Sequence, residues 1–454
     1  MEAARSSAND AAAASPIDGF SGDLTVDVHA PDLKADGPLT QTLTVPTYGD
    51  SAKLRFRLVA TTPGVHSITV SVWNGSALVA GLTLEVAVGT AARAEGAEAR
   101  GMLDVRAPST GEYTLDVAWE QHSKRYRFQL RNDQHDVWQP MYSDPLLDDR
   151  EATYKSTLAM LNTQARNLHR LDSAAQERWM RGMGTLLFEY LVPDALGTVL
   201  VAHRPRIKVL NILSQPDSTP WELLYVADSN GAKEGDFLAS GTTVARWRYG
   251  SAPERALRAT SPHFVLPSDA PPKAHEELVK LRLLFGKDAG TIEDIGSLHA
   301  LLERGDFGLL HFAAHNVAVP DALAGAYVPF GPQRWDLVML SGVPVNRFRH
   351  LQPLVFMNAC TTSGTTQVYT DLSSWADRFL KCGAGAFIGT LWEVRDGSAR
   401  RFSEHFYERL IGGDTIGEAM QSARQALRNE EEGDPTPFAY TLYGNAHARW
   451  EANP

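Results

Sequence analysis

This sequence predicts an α/β fold, a mainly parallel sheet with helices on both faces, preceded by an all-β sandwich-like domain. Three observations carry that expectation. Near Arg150 the apolar period changes from two, that of a half-exposed strand, to that of a helix. Two short apolar runs, GLLHFAAH at 308–315 and PLVFMNAC at 353–360, read as strands buried on both sides. The later half then alternates strand and helix, the signature of a parallel sheet with helical crossovers.

Bulk properties narrow the classes. A chain of 454 residues exceeds one ordinary domain, and a 43% apolar fraction suits globular cores. The net charge of −11 supplies no basic face for nucleic acid. Two cysteines, Cys360 and Cys382, exclude a disulfide framework and point to a reducing, cytoplasmic setting. No apolar run approaches the ~20 residues of a membrane helix. Residues 1–20 are Ala/Ser-rich without a hydrophobic signal core and are expected to be a disordered tail.

The elements follow in order. Alternation at Leu24/Val26/Val28, Leu54/Phe56/Leu58 and Ile68/Val70/Val72 predicts strands, and Asn74-Gly75 predicts a type I′ hairpin into Leu78–Val88. Thr90–Arg100 is a loop or a short helix. Tyr113/Leu115/Val117/Trp119 and Tyr126/Phe128/Leu130 predict a second hairpin across Gln121–Lys124. The two blocks form one sandwich with an insertion or two domains; one domain, residues 21–135, is the simpler reading. His135–Pro145 is a linker. Tyr154, Leu158, Leu161, Ala165 and Leu168 mark a helix, and Ser173–Leu191 a second, capped by Asp172 or Ser173. Arg206–Leu213 and Thr242–Arg248 read as strands around a packed turn at Pro220–Tyr225. Beyond 260 come a strand at Phe264–Leu266, helices Ala274–Phe285 and Ser297–Arg304, and the first apolar run. The excursion Asn316–Arg349, the second apolar run, helix Ser373–Leu380 and strand Ala384–Leu391 follow. Helices Ser398–Leu410 and Thr415–Arg428 close the chain.

Ligands and chemistry in an open α/β sheet collect beyond the carboxyl ends of the strands. His315 and Cys360 end the two apolar runs. A cysteine in an apolar stretch is ordinarily a small buried hydrophobe. Cys360 differs because it ends a strand before a polar run, where an imidazole can lower the thiol pKa or take its proton. Cys382 precedes a strand without such surroundings and is assigned a structural role. His311 and His315 stand four apart, which on a helix would begin a zinc site. The segment reads as strand and turn, and a third ligand is missing at a convincing spacing. No metal or other cofactor is therefore expected, and His311 is read as a hydrogen-bonded structural histidine.

These blocks resemble the CHAT family of caspase-like cysteine peptidases. LHFAAH at 310–315, VFMNAC at 355–360, Gly385–Leu391 running into Trp392-Glu393-Val394, and PWELL at 220–224 carry the resemblance, with Phe406-Tyr407 and Ala419–Ala423 in the final helices. It spans roughly residues 144–448. It implies a caspase-like sheet, a catalytic His315/Cys360 dyad and peptide-bond hydrolysis. The 45-residue separation of the pair is close to the ~50 expected in caspases. Residues 261–454 would be the catalytic half and residues 144–260 a degenerate, non-catalytic one. The family usually has Gly after the catalytic histidine, where this chain has Asn316. The resemblance makes the N–H groups of Asn316 and Cys360 the oxyanion hole, and Asn tolerates a left-handed backbone better than most non-Gly residues.

The resemblance also places Glu393 and Asp396, just after the last parallel strand, in the pocket for the residue before the cut, with Asn358 two positions before the nucleophile. Two acids there can pair with a basic side chain, and a basic or neutral residue at the cut is the reading favoured. Arg395 between them would instead select an acidic one, and all three charges can equally serve the next helix. The leading reading is a regulated endopeptidase acting on a protein substrate, a bacterial stress, defence or cell-death effector. Its β domain would receive an activating or regulatory protein. The alternatives are a pseudo-peptidase that acts as a scaffold and a different thiol hydrolase or acyltransferase on the same dyad.

Overall fold

The computed structural model describes residues 20–49, 51–89, 105–120, 123–145, 160, 161, 163, 167, 171–214, 219–227, 235–248, 256–258, 260–286, 289–318, 326–360, 372–431 and 433–451. Two compact units emerge. The first takes residues 1–145 with two short later segments, and the second takes nearly all of the remainder. The expected tail at 1–19, the Thr90–Arg100 segment and most of the helix over Tyr154–Leu168 lie outside the described residues.

The first unit is β-rich. Strands Thr40–Val45, Gly22–His29, Gly64–Asn74 and Ala77–Val88 form an antiparallel sheet in that order. Alternation buries Leu24, Val26 and Val28. The hairpin Glu112–Glu120/Arg125–Asn132 belongs to the same unit, tied to the sheet by Thr114 Oγ1 donating to the Ser76 carbonyl at 2.7 Å. Arg131, fully buried, pairs with Asp27 and lies 4.8 Å over the Trp73 ring.

Three expectations change here. The Asn74-Gly75 turn is offset by one residue: Asn74 pairs with Ala77, so Gly75-Ser76 are the central pair. Only Gly75 has positive φ (+58°), which is the type II′ pattern and not type I′. Of the Leu54–Leu58 run only its end is strand, Leu58–Ala60, paired with Leu33–Ala35. The expected linker contains strand Met141–Tyr142, which pairs with Arg127 and Phe128.

The second unit is built on a mixed sheet. Its strand order is Gly290–Ile292, Pro262–Val265, Leu309–His315, Leu354–Cys360, Ala386–Thr390, Tyr440–Gly444, Thr243–Arg248 and Val209–Ser214. The first five run parallel. Tyr440–Gly444 runs antiparallel to Ala386–Thr390 and parallel to Thr243–Arg248. The sheet thus keeps mainly parallel pairing, with an antiparallel junction at Tyr440–Gly444, a strand that escaped the periodicity. Strands from both expected halves share this one sheet.

Strand alternation sends the buried rows to opposite faces. Leu309, Ala313, Leu354, Phe356, Ala386 and Ile388 share a core with helices Ala274–Phe285, Asp396–Ile411 and Ile416–Glu430. On the other row Phe312 and Phe387 meet Phe379 of helix Leu372–Cys382, and Phe379 in turn meets Phe348 of helix Val343–Leu351. Truncating one such buried aromatic costs ~3–5 kcal/mol. Caps fix the helix starts: Thr415 and Glu418 form a reciprocal capping box, and the Asp294 carboxylate accepts from the Ser297 N–H at 2.9 Å. Helix Ser173–Leu191 approaches the turn at Trp221–Leu223 so closely that a Cβ at Gly184 would lie 2.3 Å from the Leu223 carbonyl oxygen. Among the described residues no helix is long and apolar enough to cross a membrane.

Candidate active site

The two apolar runs form neighbouring parallel strands paired through seven residues, from Leu309 opposite Leu354 to His315 opposite Cys360. Neighbouring strands lie ~4.8 Å apart. The histidine and the cysteine are therefore direct partners at the carboxyl ends of adjacent strands. His315 is half-buried.

Beneath this pair lies a buried polar cluster. Two residues before Cys360, the Asn358 amide donates to Glu277 Oε1 at 2.8 Å, and its oxygen accepts from the Tyr440 hydroxyl at 2.6 Å. Glu277 Oε1 also accepts from the Ser403 hydroxyl. His311 Nδ1 lies 3.0 Å from the Tyr407 hydroxyl. Its Nε2 lies 3.1 Å from Glu277 Oε1 without forming a hydrogen bond. Burial, with Glu277 adding to it, pushes the Tyr407 phenol well above its ordinary value, so it remains a neutral O–H. His311 thus has the structural surroundings read from its place inside the strand.

The expected substrate-binding residues divide. Asn358 is only 5% exposed and its amide is spent on Glu277 and Tyr440, which makes it part of the support under the strand ends. Asp396 opens helix Asp396–Ile411. Burial holds its carboxyl above the usual carboxylate range, His315 works against that shift, and Glu277 reinforces it. Asp396 therefore sits within electrostatic reach of His315. Glu393 is half-buried in the same loop. Arg395 is committed elsewhere, pairing with Glu431 and lying 3.4 Å from Gln176 Oε1.

Asn316 follows the histidine directly and is 2% exposed. Its backbone does not take positive φ, so the left-handed conformation that Asn tolerates is not used here. Its side-chain oxygen instead accepts from the Trp375 indole N–H at 3.1 Å.

Sequence reasoning missed Glu277, Tyr440 and Trp375. Glu277 left one signal: it falls in the apolar stripe of its helix beside Ala274, Leu278 and Leu281, where an unpaired carboxylate would be costly.

A CHAT-domain model matches residues 184–449, more than half of the chain. The chain belongs to the CHAT family. Within this CHAT protein the match covers both strand ends and the turn at Trp221–Leu223. A second model, DUF7363, a domain of unknown function, matches residues 2–84. No curated protein matches the chain. Among solved structures, it is similar to separase in the Saccharomyces cerevisiae separase–securin complex, with a TM-score of 0.46 at 8% identity. That match covers 74% of this chain and only 30% of the separase chain. It is also similar to the Arg-specific cysteine proteinase gingipain R, with a TM-score of 0.35 at 10% identity, over 66% of this chain and 76% of that one. Both are partial likenesses.

Proposed function

We propose that this CHAT protein is a cysteine endopeptidase whose nucleophile is Cys360 and whose base is His315. One observation carries the reading: the two residues are register partners at the carboxyl ends of adjacent parallel strands. The Cys360 thiolate attacks the carbonyl carbon of a peptide bond, and the carbonyl electron pair moves to oxygen. The backbone N–H groups of Asn316 and Cys360 stabilise that oxyanion. The tetrahedral species collapses, the C–N bond breaks, and the His315 imidazolium gives its proton to the leaving amine. Water, deprotonated by His315, then hydrolyses the thioester.

The test is digestion of a peptide library by the full chain, with labelling by a peptidyl acyloxymethyl ketone mapped by mass spectrometry. New peptide termini and label on Cys360 are expected. A folded chain that cuts nothing, or label found only on Cys382, overturns the reading. A scaffold without chemistry, or a different reaction on the same dyad, would then remain.

Specificity follows from charge. Arg395 is paired with Glu431, and Asp396 and Glu393 supply the negative charge that favours a basic side chain before the cut. Asp396→Asn is expected to lower kcat/KM for such peptides about 10- to 100-fold, the worth of a charge-assisted hydrogen bond. Stability should move the other way. The folded pKa of Asp396 lies above its unfolded value of about 3.9, so its stabilising contribution is complete below that value and is lost as pH rises through the folded pKa. The variant should therefore melt slightly above the parent at pH 7, with the gap closing towards pH 4 in a thermal melt series. The β-rich first unit is read as the module through which an activating or regulatory protein acts, in a bacterial stress, defence or cell-death setting within the cytoplasm.

A further inference from the structure

A column of stacked rings stands on the sheet face opposite the Asn358 cluster. Phe312, three residues before His315, stacks on Trp335 with centroids 5.5 Å apart and planes 22° from parallel. Trp335 stacks in turn on Trp375 at 5.4 Å and 15°, and Trp375 on Phe379 at 5.9 Å and 23°. Trp335 and Trp375 are both fully buried. The column joins three separate stretches of chain: the histidine strand, the antiparallel strand Gln333–Asp336, and helix Leu372–Cys382. The buried indole is confined by Trp335 and Phe379, which also meet each other at 6.2 Å, and this packing limits the swing of its N–H. That N–H points at one acceptor, the Asn316 side-chain oxygen, at 3.1 Å.

We propose that Trp375 is a positioning residue for the oxyanion hole, fixing the peptide plane at Asn316 through its indole N–H. The proposal rests on the cysteine-peptidase reading of the same site. A glycine after the histidine would offer an amide with no handle on it. Asn316 supplies the handle, and the aromatic column supplies a rigid grip. The buried side-chain oxygen needs a donor, because an orphaned polar group costs ~1–3 kcal/mol. Satisfying it from a fixed ring removes the rotational freedom of Asn316 and holds its backbone N–H where charge develops on the substrate oxygen. Preorganisation of this kind acts on the transition state more than on substrate binding.

The experiment compares two kinds of chemistry at Cys360. Peptide hydrolysis builds an oxyanion, whereas alkylation by iodoacetamide displaces iodide from carbon and builds none. Trp375→Phe keeps a stacking ring and removes the donor. It is expected to lower kcat about 10-fold, short of the ~10²–10³ lost when an oxyanion donor is removed outright. KM should stay within about twofold and the alkylation rate should be unchanged. Asn316→Ala removes the acceptor and leaves the column whole, which guards against a variant that merely fails to fold. The double variant should be no worse than either single one, because both break the same contact. Folded single variants with native kcat overturn the positioning role and leave the peptidase reading standing. A parallel loss of alkylation overturns it too, since that marks general damage to the thiol. A native chain that hydrolyses no peptide overturns both.

Discussion

Cys360→Ala is expected to abolish peptide cleavage while leaving the thermal melt within a few degrees of the parent. The fold does not depend on the position: the ladder that carries it, Leu309–His315 against Leu354–Cys360, is a backbone feature. The partner variant His315→Ala is expected to lower kcat/KM by about 10²–10⁴, the usual worth of a positioned acid–base group. It should leave a second mark that a purely structural histidine would not. A thiol without a basic neighbour titrates near its ordinary value of about 8.5. In the parent, the rate of iodoacetamide alkylation of Cys360 should rise at a pH well below that value. In His315→Ala the midpoint should return towards it. Cys382 serves as an internal control, because burial pushes its thiol up and its alkylation should stay slow in both proteins. Equal alkylation profiles for parent and variant, with cleavage retained, would remove His315 from the mechanism.

The second large effect concerns stability. Glu222, in the turn Trp221–Leu223, is fully buried and meets Arg246 of strand Thr243–Arg248 through two contacts, 2.5 and 2.8 Å. Arg246 also donates to the Thr219 carbonyl at 2.7 Å. Arg424 of helix Ile416–Glu430 lies 3.9 Å from the same carboxylate and donates to the carbonyls of Pro437 and Tyr440. Both guanidinium groups are out of water. Burial, against the pull of Glu222 and with the push of Arg246, takes Arg424 down to about 10. Glu222 thus faces two buried cations. Glu222→Ala removes this buried counter-charge, which is expected to cost ~3–5 kcal/mol. Urea unfolding should show this as a fall in the midpoint at unchanged slope. Glu222→Gln restores packing but not charge and should lie between parent and alanine variant. A midpoint within error of the parent would mean that the cluster contributes nothing net.

The site was legible where its signals are local. Each apolar run is short, bounded by turn formers and ends in a reactive residue, so periodicity alone places His315 and Cys360 at strand ends. The match of the CHAT model over residues 184–449 agrees with the motifs that suggested the family. What sequence reasoning missed is carried by distant pairs. Glu277 and Asn358 are 81 positions apart, and Trp375 and Asn316 are 59 apart. Nothing in either neighbourhood announces the other. Asn358 illustrates the cost: its place near the nucleophile suggested a substrate contact, whereas both ends of its amide are spent inside the protein. Two of the strands missed, Leu33–Ala35 and Thr40–Val45, are short and largely exposed, so they carry little apolar alternation. The turn at Gly75 was legible as a turn but not in type, because the residue pair does not reveal which two positions become central.

The seven-pair ladder also sets rules for insertion and deletion. Side chains on a strand alternate between faces, so losing or gaining one residue inside either strand turns everything beyond it to the other face. One residue removed from Leu309–Ala314 would bring Asn316 opposite Cys360 and move His315 opposite Ala359, on the other face. The stretch between the two strands is under no such restriction. Its closure free energy grows only as the logarithm of its length, ~0.6 kcal/mol per doubling. Natural length variation in a protein of this design is therefore expected to collect in the segment from Val317 to Pro353. The six-residue approach to each reactive position should keep its length whatever its composition.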